Sequence, residues 1–176
     1  MHEACLLLRW MFAGVRSNQK DLFDIVAPLL AKYFAESRSV SALDALSGLV
    51  NDAPRSPEMV EPQANVYGQV TAAVCQATAA ALEPETLARY LELSEKVAKT
   101  VPEAFFRAMP HSLQVAMDGL CRLEKEVVRA SANLFVVLLQ QAKEGNAQAQ
   151  VAVVLCTPTV VQNIFMVRWS SIIDAC

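Results

Sequence analysis

The stretch Lys125-Glu126-Val127-Val128-Arg129-Ala130-Ser131-Ala132-Asn133-Leu134-Phe135-Val136-Val137-Leu138-Leu139-Gln140-Gln141-Ala142-Lys143 decides how this chain is read. On a helix of 3.6 residues per turn, Val128, Ser131, Ala132, Phe135, Leu138, Leu139 and Ala142 fall on one side, and Val127, Leu134 and Val137 widen that surface at its flanks. Glu126, Arg129, Asn133, Gln140 and Lys143 remain as a narrow polar strip. A surface helix hides roughly a third of its circumference. An arc this wide therefore predicts neighbours on several sides, as in a layered, all-helical structure.

The totals agree with a packed chain. At 176 residues it can bury a substantial core. Its hydrophobic fraction is 54% and its charged fraction 19%, against about 45–50% and about 25% in typical soluble domains. That balance, with only 5 glycines, excludes a disordered or low-complexity chain. A net charge of −3 offers no basic stripe for nucleic acid. Cys5, Cys75, Cys121, Cys156 and Cys176 are odd in number, far apart and without a Cys-x-x-Cys pair. They read as reduced, mostly buried thiols of an intracellular protein, neither a zinc site nor a disulfide framework. Leu6-Leu7-Leu8 is broken by Arg9 and preceded by Glu3, which is unlike a signal peptide, and no uncharged run reaches the roughly 20 residues of a membrane span.

Outward from the central stretch, helices follow one another. One is expected over Ala4 to Val15, with Trp10 and, at the far end, Trp169 as packing residues. The next presents Leu22, Ile25, Val26, Leu29, Leu30 and Tyr33 inward, and Pro28 must kink it or open a fresh helix. Ser41 and Asp44 suggest a capping box for a short helix carrying Leu43, Leu46 and Val50. Asn51 to Glu61 is the longest loop candidate. Pro62 suits the first turn of a helix that buries Val66, Val70, Val74 and Ala77 and reaches about Ala81.

After Glu83-Pro84-Glu85, residues Leu87, Tyr90, Leu91, Ser94, Val97, Ala98 and Val101 keep helical spacing. Opposite them Glu85 and Arg89, Glu92 and Lys96, and Glu95 and Lys99 form acid-first i,i+4 pairs that mark a solvated face. Pro102 ends this helix and Pro110 is expected to open the next. Gly145-Asn146 is a stop, Ala147 to Cys156 a short apolar helix, and Pro158 precedes a last one through Val160 to Ala175. The second members of successive helix pairs then begin near Ser41, Glu85, Lys125 and Val160, at a period of roughly 35 to 45 residues, within the range of HEAT and armadillo arrays.

Catalytic signatures are missing. His2 and His111 are the only histidines, and no Gly-rich phosphate loop, His-Glu-x-x-His or Gly-x-Ser-x-Gly occurs. The expectation is a protein that is no enzyme and carries no cofactor or metal.

From about Leu29 onward the chain resembles the C-terminal HEAT repeats of importin-β-type nuclear transport receptors, in the importin-13/transportin-3 branch. The residues that carry the resemblance are Ser41-Ala42-Leu43-Asp44, Val70-Thr71 in the helix after Pro62, Val101-Pro102-Glu103-Ala104-Phe105-Phe106, and Val128-Arg129-Ala130-Ser131 with Phe135 and Leu138-Leu139. The resemblance implies an α-solenoid over 1–176, a single array of about four helix pairs. It implies a segment that grips cargo proteins in a receptor shuttling between cytoplasm and nucleus, with the Ran GTPase as partner of the full receptor. In such arrays the second helix of each pair lines the concave side, which would turn Arg89, Glu92, Lys96, Arg129, Asn133 and Gln140 towards cargo. The stretch before Leu29 departs from the family, the Ran-binding N-terminal repeats have no counterpart, and neither Cys5-Leu6-Leu7-Leu8 nor Ile172-Ile173 supplies a polar cap. A fragment of a longer array or a truncated product, with apolar surface at both ends, is expected. The other reading of the same pattern is a HEAT-like scaffold of a stable assembly without Ran-dependent transport, and a third is a closed helical bundle around an apolar ligand.

Overall fold

A computed structural model describes residues 3, 7, 19–77, 82–158 and 161. The helices expected over Ala4 to Val15 and over Val160 to Ala175, with Trp10, Trp169, Cys5 and Cys176, lie outside the described residues but for Leu7 and Val161, both helical. The described chain is all-helical: α1 (Gln19–Ser37), α2 (Val40–Asp52), a 3-10 turn (Pro57–Met59), α3 (Val60–Ala77), α4 (Pro84–Thr100), α5 (Pro102–Leu120) and α6 (Lys125–Lys143). A further helix, α7, covers residues 147–158.

The helices alternate between two layers. Alternate members pack side by side, α1 on α3 on α5 and α2 on α4 on α6, and consecutive helices cross between the layers. No two of α1 to α6 more than two places apart in order pack extensively. Helix starts repeat regularly. In the first layer Val60 and Pro102 are 42 residues apart, and in the second Val40, Pro84 and Lys125 are 44 and 41 apart.

Several sequence expectations change once the layers are in view. Pro28 neither opens a helix nor ends one, since α1 runs through it, and α5 likewise runs through Pro110, which was expected to start a helix. A proline removes one main-chain bond. The buried positions of α5, Phe105 before it and Ser112, Ala116 and Gly119 after it, stay in phase across Pro110, so packing outweighs the lost bond. In α1 the buried face is Phe23, Val26, Ala27, Leu30, Ala31 and Phe34, whereas Ile25 and Leu29 are both 62% exposed. The capping box is absent: Ser39 is the N-cap of α2 and makes no side-chain cap bond. In α6, Val127, Ala130, Ser131, Leu134, Val137 and Leu138 are buried, but Val136 is 60% and Leu139 49% exposed and Ala132 is open. Its apolar arc is wider than its neighbours can cover.

Other expectations stand. Leu87, Tyr90, Leu91, Ser94, Val97, Ala98 and Val101 are all buried. Gly145 ends α6 at φ 94, with its N–H on the Ala142 carbonyl at 3.2 Å and the Asn146 N–H on that of Gln141 at 3.0 Å. That is a Schellman motif, in which a left-handed residue satisfies the last carbonyls. Asn146 then caps α7, its Oδ1 accepting from the Ala149 N–H at 3.1 Å.

Between the layers the core is aromatic and hydroxylated. The rings of Tyr67 and Tyr90 are parallel with centroids 6.3 Å apart, and Phe105 lies 6.1 Å from Tyr67. These rings hold the backbones of α3 and α4 apart. The tyrosine hydroxyls meet Ser94, Ser112 and Thr71, all buried. Tyr67 OH is 2.9 Å from Ser94 Oγ and 2.8 Å from Ser112 Oγ, and Tyr90 OH is 3.1 Å from both Thr71 Oγ1 and Ser112 Oγ. Ser94 Oγ donates to the Tyr90 carbonyl at 2.9 Å. One ordering uses each proton once: Tyr90 to Ser112, Ser112 to Tyr67, Tyr67 to Ser94 and Ser94 to the Tyr90 carbonyl.

Burial raises the pKa of Tyr90 above the ordinary 10.0 and that of Tyr67 well above it, outweighing the serine hydrogen bonds that favour the phenolates. Above pH 10 the unfolded tyrosines release protons that the folded ones keep, so their contribution is whole below that pH and declines as pH rises. Each makes stability fall by up to about 1.4 kcal/mol per pH unit there. Urea titrations at rising alkaline pH should show this slope, and Tyr67→Phe with Tyr90→Phe should flatten it. Phenolate absorbance from all three tyrosines before the helical signal is lost would contradict the burial.

Close approach of α5 and α6 depends on Gly119. A Cβ there would lie 2.2 Å from Ser131 Oγ and 3.4 Å from Leu91 Cδ1 and Val127 Cγ1. That Ser131 oxygen is buried without a hydrogen-bond partner. Gly119→Ala should therefore destabilise by about 1–3 kcal/mol, from overpacking that outweighs the better helix propensity of alanine. In a Ser131→Ala background the clash is gone and the same substitution should be neutral or stabilising, which a double-mutant cycle in urea measures.

Candidate protein-binding face

The outward side of the second layer is assembled from one strip per helix. On α4, Arg89, Glu92 and Lys96 share the arc opposite the buried Leu87, Leu91, Ser94 and Ala98. On α6, Arg129, Asn133 and Gln140 share the arc opposite Val127, Ser131, Leu134 and Leu138. Because α4 and α6 pack side by side in one layer, the structure brings all six residues expected from the sequence onto adjoining strips. Lys96, Arg129, Asn133 and Gln140 are exposed, and Arg89 and Glu92 are half-buried.

The ion pairing differs from the i,i+4 pattern. Arg89 Nη1 donates to Glu92 at 2.8 Å, and its Nε lies 3.5 Å from Asp44 on α2. Arg89 thus reaches across to α2 as well as along its own helix, and Glu92 pairs with it instead of with Lys96. Only Glu95 and Lys99 keep the expected pairing, at 2.5 Å. Glu92 first and then Asp44 raise the pKa of Arg89 above its already high ordinary value. Gln140 donates to Glu144 at 3.3 Å. The side chains of Lys96, Arg129 and Asn133 make no hydrogen bond or ion pair among the described residues and are available to a partner.

Sequence reasoning missed two parts of this face. Asp44 was assigned to a helix cap, yet it joins α2 to Arg89. Ala132 and Leu139, expected inside, and Val136, which the helical pattern assigned to neither face, are open beside the Arg129, Asn133 and Gln140 strip. The signal that could have found them is the excess width of the α6 arc. Next to them, Phe135 and Leu139 of α6 with Val153, Cys156, Thr157 and Val161 line an apolar groove of about 100 Å³.

Other features carry less chemistry. A hollow of about 430 Å³ is lined by Glu83, Pro84, Glu85, Glu124, Lys125 and Glu126, where first-turn acids complement the N-terminal dipoles of α4 and α6. Among the described residues no three His, Cys, Asp or Glu are placed to hold a metal ion, and no helix is long and apolar enough to cross a membrane. Cys156 is buried, which raises its thiol pKa, whereas Cys121 is exposed. The hydroxyl cluster around Ser112 is closed to solvent and serves packing.

Compared with known proteins, the chain matches no family model, and no curated protein or solved structure matches it.

The Arg89–Asp44 contact is long and both side chains are over 40% exposed. Exposed pairs of this kind contribute about 0–1 kcal/mol. Arg89→Ala should therefore leave stability within about 1 kcal/mol of the parent, and a cycle with Asp44→Asn should give a coupling that fades as salt is raised. A larger, salt-independent coupling would show that Arg89 is structural and withdraw it from the binding face.

Proposed function

We propose that the chain is a segment of a HEAT-like α-solenoid, a non-enzymatic scaffold that binds proteins with the outward side of its second helix layer. The observation that carries this reading is the two-layer order, in which each of α1 to α6 packs mainly on its near neighbours and starts recur every 41–44 residues within a layer. Repeat arrays are built this way, with helix pairs stacked along one axis instead of around a central core. A closed bundle around a ligand would bring helices far apart in the chain together, whereas among the described helices α1 and α6 do not pack on each other.

The resemblance to importin-13 and transportin-3 specifies the scaffold further, as part of a receptor carrying cargo between cytoplasm and nucleus under the control of Ran. Free cations at Lys96 and Arg129, amides at Asn133 and Gln140, and open apolar side chains at Val136 and Leu139 supply the mixture of polar rim and apolar centre that protein partners use. The alternative, a scaffold of a stable assembly, uses the same face with permanent partners.

The test is capture from cell extract by this chain and by a longer receptor array containing it, each with and without Ran held in its GTP state. Partners of the array that are released or recruited by Ran, and that lose at least tenfold in retention with Lys96→Glu plus Arg129→Glu, are the expected result. A partner set indifferent to Ran would remove the transport reading and leave the scaffold. Retention unchanged by the charge reversals would remove the face.

A further inference from the structure

The connection from α2 to α3 has no part in the binding face, and at its centre is Pro54-Arg55-Ser56-Pro57. A residue that precedes proline is pushed out of the helical region. Both such residues here are extended, Ala53 at φ −66 and ψ 145 and Ser56 at φ −117 and ψ 152. Two prolines thus hold the segment open. Ala53 and Met59 are buried and anchor its ends, while Arg55, Pro57 and Glu58 are exposed and Pro54 and Ser56 half-buried. The Ala53 N–H donates back to the Leu49 carbonyl at 2.9 Å and the Met59 N–H to the Ser56 carbonyl at 3.0 Å. Between them, the N–H groups of Arg55 and Ser56 make no hydrogen bond among the described residues. A serine in the place of Ser56, just ahead of a helical turn, ordinarily accepts a bond from that turn. Ser56 makes no such side-chain bond, so its hydroxyl is left for other chemistry.

The sequence holds two Ser-Pro or Thr-Pro steps, Ser56-Pro57 and Thr157-Pro158, and the structure separates them. Thr157 lies within α7, and its hydroxyl donates to the Val153 carbonyl at 2.6 Å. To present it as an extended strand, the end of α7 must unwind. Ser56 needs no such rearrangement. Its neighbours also select the class of enzyme that reads it. Proline directly after the acceptor has no N–H, so a kinase pocket without an acceptor there takes proline cleanly and leaves a donor unpaired on any other residue. Mitogen-activated kinases select in addition a proline two residues before the acceptor, which Pro54 supplies. Cyclin-dependent kinases select a basic residue three places after it, where this chain has the buried Met59.

We propose that Ser56 is a phosphorylation site for a proline-directed serine/threonine kinase of the mitogen-activated class. Ser56 Oγ attacks the γ-phosphorus of the magnesium-bound ATP held by the kinase, and its proton passes to the aspartate base of the kinase. The bond from that phosphorus to the β-phosphate oxygen breaks, and ADP leaves. The product carries about −1.5 to −2 charge at pH 7. It stands beside Arg55, which makes no ion pair among the described residues.

The test incubates the full chain with a purified mitogen-activated kinase and magnesium-ATP and locates the phosphate by fragmentation mass spectrometry. A peptide of residues 51–60 serves as the fully open reference. One phosphate on Ser56 is expected, at an initial rate within about tenfold of the peptide's, because the segment is already extended. Thr157 should stay unmodified. Ser56→Ala should abolish incorporation, and Pro57→Ala should lower kcat/KM at least about tenfold. The peptide with the same Pro57→Ala change should lose as much, which separates recognition from any effect on the fold. Phosphate on Thr157 in place of Ser56, modification of the peptide alone, modification of neither, or an undiminished rate after Pro57→Ala would each overturn the site. None of these outcomes depends on Ran or on the α4 and α6 face.

Discussion

Ser112 is where the two layers lock. Its Oγ, on α5, is within hydrogen-bond distance of hydroxyls from α3 and α4 at once, and neither Tyr67 nor Tyr90 is accessible to water that could replace it. Apolar packing alone tolerates sliding, because one methyl group substitutes for another along a helix face. Hydroxyls do not. A slip of one helical turn, about 5.4 Å, would break every bond of the cluster and leave several buried oxygens unpaired, at about 1–3 kcal/mol each. The cluster therefore sets the register of three helices, and the stacked rings set their separation.

Everything on the proposed binding face follows from that register. With α4 positioned by Tyr90 and Ser94, its opposite arc must carry Arg89, Glu92 and Lys96 outward. The α6 strip is placed in turn by packing on α4 and α5, where Gly119 admits Ser131 at close range and Gln141 donates to the Ala98 carbonyl at 2.5 Å. On the first layer the Arg107–Glu61 ion pair ties α5 to α3. The buried side is specified by shape and hydrogen bonding.

Helices were legible from the sequence wherever spacing was strict. The α4 pattern from Leu87 to Val101 and the Gly145-Asn146 stop are local features, and local rules describe them. The spacing of the second-layer helix starts at Val40, Pro84 and Lys125 was legible for the same reason. What escaped was non-local. Ser94 was assigned to the buried face by spacing alone, but nothing nearby in the chain indicates that its hydroxyl meets Tyr67, 27 residues away. Pro110 carries a strong local signal for a helix start, and the in-phase core positions on both sides of it override that signal. Ile25 and Leu29 satisfy helical periodicity as well as Val26 and Leu30 do, and only the position of α3 distinguishes the buried pair from the open one. On α6 the polar strip was readable and the exposure of Ala132 and Leu139 was not, because the pattern placed both on the buried side.

The apolar members carry most of the binding potential. Exposed charges such as Lys96 and Arg129 gain little when they pair in water, about 0–1 kcal/mol each, and salt weakens them further. Covering an apolar side chain contributes about 25 cal/mol for each Å² removed from water. Burying Val136, Leu139 and the adjoining groove at Phe135 and Val153 therefore outweighs what the flanking polar groups add. The charges have a different role: they steer encounter and penalise mismatched partners. A partner suited to this face brings an apolar ridge for α6 and complementary polar groups for Arg129 and Asn133.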